Sequence, residues 1–244
     1  MMEPVELLQN VFTTKQFPLV ENVPVPPVVA QMLLKTHPDS SSFDPIIAQV
    51  AARFAKDQGH LQLVTAEETF NCMAEFSRGM LYTAALFHAH HPEATAKINS
   101  FYIDDEVQPT AEVFDSAGIE WVNDKGKYRL YVNPALILCY AIEQRQKSPK
   151  RSFRMSKLPG MKFSAQEFVL LTGMEEMLHV YQLDLLAPEK RYRDYHNEDG
   201  TLDEKKYAAD PVEMEAGDFL LKMAKRLKLG DKFADRAVEG VPRL

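Results

Sequence analysis

Apolar runs along the chain are broken by prolines, by acidic or hydroxyl capping residues and by one turn, and these breaks mark out its elements. In "NVPVPPVVAQMLLKTH", Pro24, Pro26 and Pro27 predict an extended lead-in to a short helix. After the polar loop "PDSSSFD", Asp44 reads as an N-cap with Pro45 at the first helical position. Thr65 and Glu68 have capping-box spacing and predict a second helix, running to His91 where Pro92 stops it.

The period then changes. "SFYID", "GIEWV" and "KYRLYVN" are short runs rich in aromatic and β-branched residues. The last two flank "NDKG", a turn signal, and so predict an antiparallel hairpin. Pro134 opens the helical run "PALILCYAIEQRQK", and the basic, polar "SPKRSFRMSKLPG" reads as a loop. Ser164 and Glu167 form another capping box, for a helix to about Leu186 before Pro188. Asp210, Pro211 and Glu213 start the last long helix, with Gly230 as its expected C-cap. Helices, then a small antiparallel sheet, then helices: this order predicts a mainly helical α+β fold. The pattern divides into an N-terminal helical region, 1–97, and a core with the sheet and the last helices, 98–244, expected to pack as one domain.

Composition adds bounds. The chain has 244 residues, 45% hydrophobic and 26% charged, which suits a soluble globular protein with a sizeable core. Its net charge of -7 argues against nucleic acid or an anionic membrane as a partner. Cys72 and Cys139 each sit in an apolar run and read as core thiols, compatible with a reducing compartment. "MMEPVELLQNVF" lacks a basic n-region and carries two glutamates, so a cytoplasmic location is expected. No apolar run approaches the roughly 18 residues of a membrane span.

The helix over 165–186 carries the chemistry. Phe168, Val169, Leu170, Leu171, Met174, Met177, Leu178, Val180, Leu183 and Leu185 point nearly all round it, as in a core helix. Yet Thr172, Glu175, Glu176, His179 and Gln182 share one sector of roughly 120° at 3.6 residues per turn. Buried carboxylates need a cation. Two sources are open at this point: a basic side chain, with Arg151, Arg154 and Lys157 just upstream, or a divalent metal held by carboxylate and imidazole. In "DPVEMEAGDFLLKMAKRL" the apolar stripe is Val212, Ala216, Phe219, Leu220, Met223 and Leu227. Glu213 lies on that stripe, and Glu215 on the opposite face with Asp218, Lys222 and Arg226. Glu213 therefore either faces the site or completes the helix cap.

"EEMLH" followed some thirty residues on by "DPVEMEA" resembles the zinc-dependent metallopeptidases of the gluzincin type, with H-E-x-x-H on one helix and a third ligand, a glutamate, on the next. The resemblance covers about residues 98–228 and implies a zincin-like core, a peptide or protein segment as substrate or partner, and a hydrolase if active. By position it makes His179 the second histidine, Glu213 the third ligand and Glu176 the general base for a metal-bound water. The first histidine is replaced by Glu175. Glu175, His179 and Glu213 would form a harder ligand set, suiting manganese, iron or magnesium relatively better and zinc less well. The added charge would make a bound water less acidic. The resemblance thus implies either an unusual metal site or a metallopeptidase-like protein without catalysis.

Other classes keep a place. A carboxylate-bridged iron or manganese bundle needs two E-x-x-H pairs, and only Glu176–His179 is present. His88, His90 and His91 in "FHAHHPE" are either a second metal cluster or solvated residues at a helix C-terminus. "YHNEDGTLDE" lacks calcium-loop spacing and reads as a mobile loop over the site. A non-enzymatic alternative is a peptide-binding module, with "YRLYV" as an exposed edge strand open to strand addition.

Overall fold

A computed structural model describes residues 66–87, 91, 93–94, 97–103, 117–122, 127–132, 155, 157–186, 195, 197 and 203–234. These residues are mostly helical. In chain order they form α1 (Ala66–Phe87), β1 (Ile98–Ile103), β2 (Ala117–Val122), β3 (Lys127–Val132), α2 (Ala165–Leu185), α3 (Glu204–Ala208), α4 (Pro211–Leu227) and α5 (Asp231–Ala234). The expected helices before residue 66 and after Pro134 lie outside the described residues, as do Cys139, His88 and His90. Among the described residues, no helix is long and apolar enough to cross a membrane.

The predicted hairpin forms. β2 and β3 pair antiparallel from Ala117 opposite Val132 to Val122 opposite Lys127. Tyr128, Leu130 and Val132 are buried, the alternation expected of a strand with one face on a core. Two expectations fail. The sheet is mixed rather than antiparallel, because β1 pairs with β3 in parallel. Its strand order is β1-β3-β2, so "YRLYV" is the central strand. Both of its backbone edges are already paired, and it offers none to an added peptide.

α2 is the buried centre of the molecule, and α1 crosses it backbone to backbone. A Cβ built on Gly79 would lie 2.1 Å from the Leu170 carbonyl oxygen, and one on Gly173 2.2 Å from that of Phe76. Thr83 Oγ1 donates to the Met174 carbonyl at 3.1 Å across the same crossing. Only two residues without side chains permit this approach. It fixes the roll of α2, and the polar sector is left to face α4. The 1–97 region therefore contributes α1 to the same core as the later helices.

The capping box opens α2 as expected. Ser164 Oγ accepts from Glu167 N at 3.2 Å, and Ser164 N donates to Glu167 Oε2 at 2.9 Å. Glu167 Oε1 also accepts from Gly230 N at 3.1 Å, tying the start of α2 to the chain after α4. α4 is capped by Asp210, which accepts from Val212 N at 2.8 Å, with Pro211 in its first turn. Its end differs from expectation. Lys228 caps it in the left-handed region at φ 55°, two residues before Gly230, which is left-handed too at φ 78°. Leu229 N bonds back to Ala224 O at 2.8 Å, closing a Schellman turn whose hydrophobic contact is buried Leu229 on buried Ala224. Burying Leu229 moves the cap two residues ahead of the glycine. α1 is described to Phe87, and His91 N still bonds back to the Phe87 carbonyl at 3.0 Å.

Candidate functional site

Glu175, His179 and Glu213 converge. Their ligand atoms lie within 4.8 Å of one another. His179 Nε2 stands 3.5 Å from Glu213 Oε2 and 3.9 Å from Glu175 Oε1. Glu213 lies on the buried face of α4 and takes no part in the cap, so it faces the site. Glu175 and Glu176 are each 8% exposed.

The cation between the carboxylates is Lys157. Its ammonium contacts Glu175 Oε1 in a hydrogen bond and Glu213 Oε2 as an ion pair. The second contact is not an aligned hydrogen bond, since Glu213 Oε2 is buried with no hydrogen-bond partner among the described residues. The Lys157 side chain is 7% exposed. Of the three basic residues upstream, Arg151 and Arg154 lie outside the described residues, and Lys157 turns inward with its neighbours. Met155 and Leu158 are buried on either side of it, and Met161 and Phe163 follow into the core. A Cβ on Gly217 of α4 would lie 3.4 Å from the Lys157 carbonyl oxygen, so the Lys157 backbone rests directly on that helix.

Two tyrosines complete the surroundings. The Lys157 ammonium lies 5.1 Å from the centroid of the Tyr207 ring, within cation–π range. Tyr195 meets Tyr207 edge to face at 5.1 Å, and its hydroxyl donates to Glu213 Oε1 at 3.3 Å. Tyr195 opens the stretch expected to be a mobile loop, and Tyr207 lies three residues beyond it. Its described ends are tied down: Asp203 caps α3, accepting from Lys205 N and Lys206 N, and Asp203 N donates to the Tyr195 carbonyl at 2.6 Å.

Gln182 aims the histidine. Its Nε2 donates to the Val212 carbonyl at 3.1 Å and to Glu215 Oε2 at 2.9 Å. Its Oε1 must then face His179 Nδ1, 2.8 Å away, as acceptor. Nδ1 therefore carries a hydrogen, and Nε2 is the atom turned toward the carboxylates. Glu215 is exposed, as its place on α4 predicted, yet it still reaches this network. Sequence reasoning placed Gln182 in the sector without a role, and missed Tyr195 and Tyr207. Aromatic residues at both ends of an acid-rich stretch were the available signal.

Charge states follow from these contacts. Burial works against ionising Glu175, but Lys157 and His179 overcome it and hold its carboxyl at about 2. Burial opposes the Lys157 charge too, yet Glu175, Tyr207 and Glu213 raise its pKa above the ordinary lysine value. For His179 burial favours the neutral ring, but Glu175, Glu213 and Glu176 more than offset it and favour imidazolium. Burial pushes Glu176 up to about 8, opposed by His179 and reinforced by Glu175. Lys157 therefore stays an ammonium beside the ionised Glu175 carboxylate, and Glu176 favours its protonated form.

His91 lies apart from this site, half-buried, with Nδ1 3.8 Å from exposed Glu93. Comparison of the chain with family models, with curated proteins and with solved structures finds no match.

Proposed function

We propose that this chain is a metallopeptidase-like protein that keeps the carboxylate–histidine centre and does not hydrolyse peptides. One observation carries the reading: the Lys157 ammonium sits on both Glu175 and Glu213, where a metal would have to be. Glu175, His179 and Glu213 are the residues that would hold a divalent ion. They do not fit one while Lys157 is in place. Its ammonium already compensates both carboxylates, and a divalent ion beside it would bring like charge into a buried site. Glu176, in the position of a general base, is then a buried neutral carboxyl with no activated water to deprotonate. A site of this kind positions elements; it does not turn over substrate.

Calorimetric titration with zinc and a peptidase assay with zinc, manganese, iron or cobalt supplied test the reading together. The native protein should take up none of these ions and cleave nothing. Lys157→Met combined with Glu175→His removes the internal cation and supplies a neutral nitrogen ligand, and should gain a zinc site. Stoichiometric zinc uptake by the native chain, or cleavage by it, would overturn the reading.

A further inference from the structure

We infer that the pocket walled by Glu175, Glu213, Tyr207 and Tyr195 is a binding site for a primary ammonium ion, filled in the native chain by Lys157. The inference rests on the reading above, that the cation of the centre is organic. It adds which chemistry the walls select.

Two features favour an ammonium over a metal. First, one wall is the face of Tyr207, 5.1 Å from the bound nitrogen. An aromatic face attracts an organic cation and offers no lone pair to a metal. Tyr195 holds that ring by an edge contact and is itself anchored on Glu213. Second, the group already seated against Glu175 Oε1 and Glu213 Oε2 is itself a primary ammonium, held by a hydrogen bond to the first and an ion pair to the second.

The test is occupation of the emptied pocket from solution. Lys157→Ala removes the atoms from Cγ to Nζ, which n-propylammonium reproduces. Melting temperature is measured for Lys157→Ala in n-propylammonium chloride, in sodium chloride of equal ionic strength, in 1-propanol and in zinc or manganese chloride. The variant should melt about 10 °C below the native chain. About 100 mM n-propylammonium should restore several degrees by mass action, with no effect on the native chain. Propanol, sodium and the metals should restore nothing. No recovery with the amine, equal recovery with propanol, or greater recovery with zinc would overturn the inference. If Lys157→Ala does not fold unaided, the readout becomes refolding yield in the same salts. Yield regained only with the amine supports the inference; yield regained with zinc, or with neither, overturns it. Zinc uptake by the native chain would instead sink the reading on which the inference rests.

Discussion

The two faces of α2 are held by opposite means. Toward α1 the helices meet backbone to backbone at Gly79 and Gly173, with Thr83 Oγ1 on the Met174 carbonyl and Gln166 Nε2 on Glu75 Oε1 beside the contact. Toward α4 the gap is bridged by Lys157, Glu175, His179, Gln182 and Glu213, drawn from three separate segments. The first contact is steric and tolerates nothing larger than hydrogen. The second is electrostatic and depends on a balance of charge. A single helix can therefore be rigid on one side and chemically adjustable on the other.

The steric face should break most completely. Gly173→Ala puts a methyl within 2.2 Å of the Phe76 carbonyl oxygen, and the backbones can only move apart. The expected loss exceeds ~4 kcal/mol, and the measurement is denaturant unfolding. A loss below ~1 kcal/mol would mean that the helices do not cross at these glycines. On the electrostatic face, Lys157→Met keeps the bulk and removes the cation. It leaves Glu175 and Glu213 without their ammonium and should cost ~3 kcal/mol in the same assay. Adding Glu175→Gln should recover most of that loss, because one buried carboxylate is replaced by a neutral amide. If the double variant is less stable than the single, charge balance is not what holds this face.

How far each face could be read beforehand follows from what holds it. α2 itself, its Ser164–Glu167 cap, the polar sector and the inward Glu213 were legible, because each follows from helical periodicity or a local cap. The glycine crossing was not, since Gly79 and Gly173 lie 94 positions apart in the numbering and carry no apolar signal of their own. Lys157 could be named only as one of three bases. That Lys157 turns inward depends on Met155 and Leu158 entering a core that periodicity does not locate. The parallel pairing of β1 was illegible for a similar reason: a strand's composition does not reveal the direction of its neighbour. Lys228 in place of Gly230 shows local preference yielding to burial of Leu229.

Smaller effects sharpen the contrast. Gln182→Ala frees His179 Nδ1 and leaves the buried Val212 carbonyl without its side-chain donor. It should cost ~1–2 kcal/mol and change the imidazole nitrogen shifts in NMR, a signature that simple loss of packing would not give. Glu176→Gln should do the reverse. In the folded chain the Glu176 carboxyl is raised from 4.5 to about 8. Its contribution is thus fully present below pH 4.5 and is lost as pH rises through about 8. The slope approaches ~1.4 kcal/mol per pH unit between those values. Glutamine removes that slope, leaves the variant more stable than the native chain above neutrality, and changes nothing at pH 4. Parallel pH curves for the two proteins would show that Glu176 is not buried as described.

Lys157 differs from a metal ion in one further respect: it is covalently part of the chain. A free ion must give up translational freedom each time it binds, and its occupancy rises and falls with its concentration in the surroundings. A side chain on a backbone already packed against Gly217 has a local concentration fixed by geometry alone. The centre is therefore complete when the chain folds, at any dilution and in the presence of any chelator. It also cannot be emptied, refilled or exchanged without opening the packed turn that carries it.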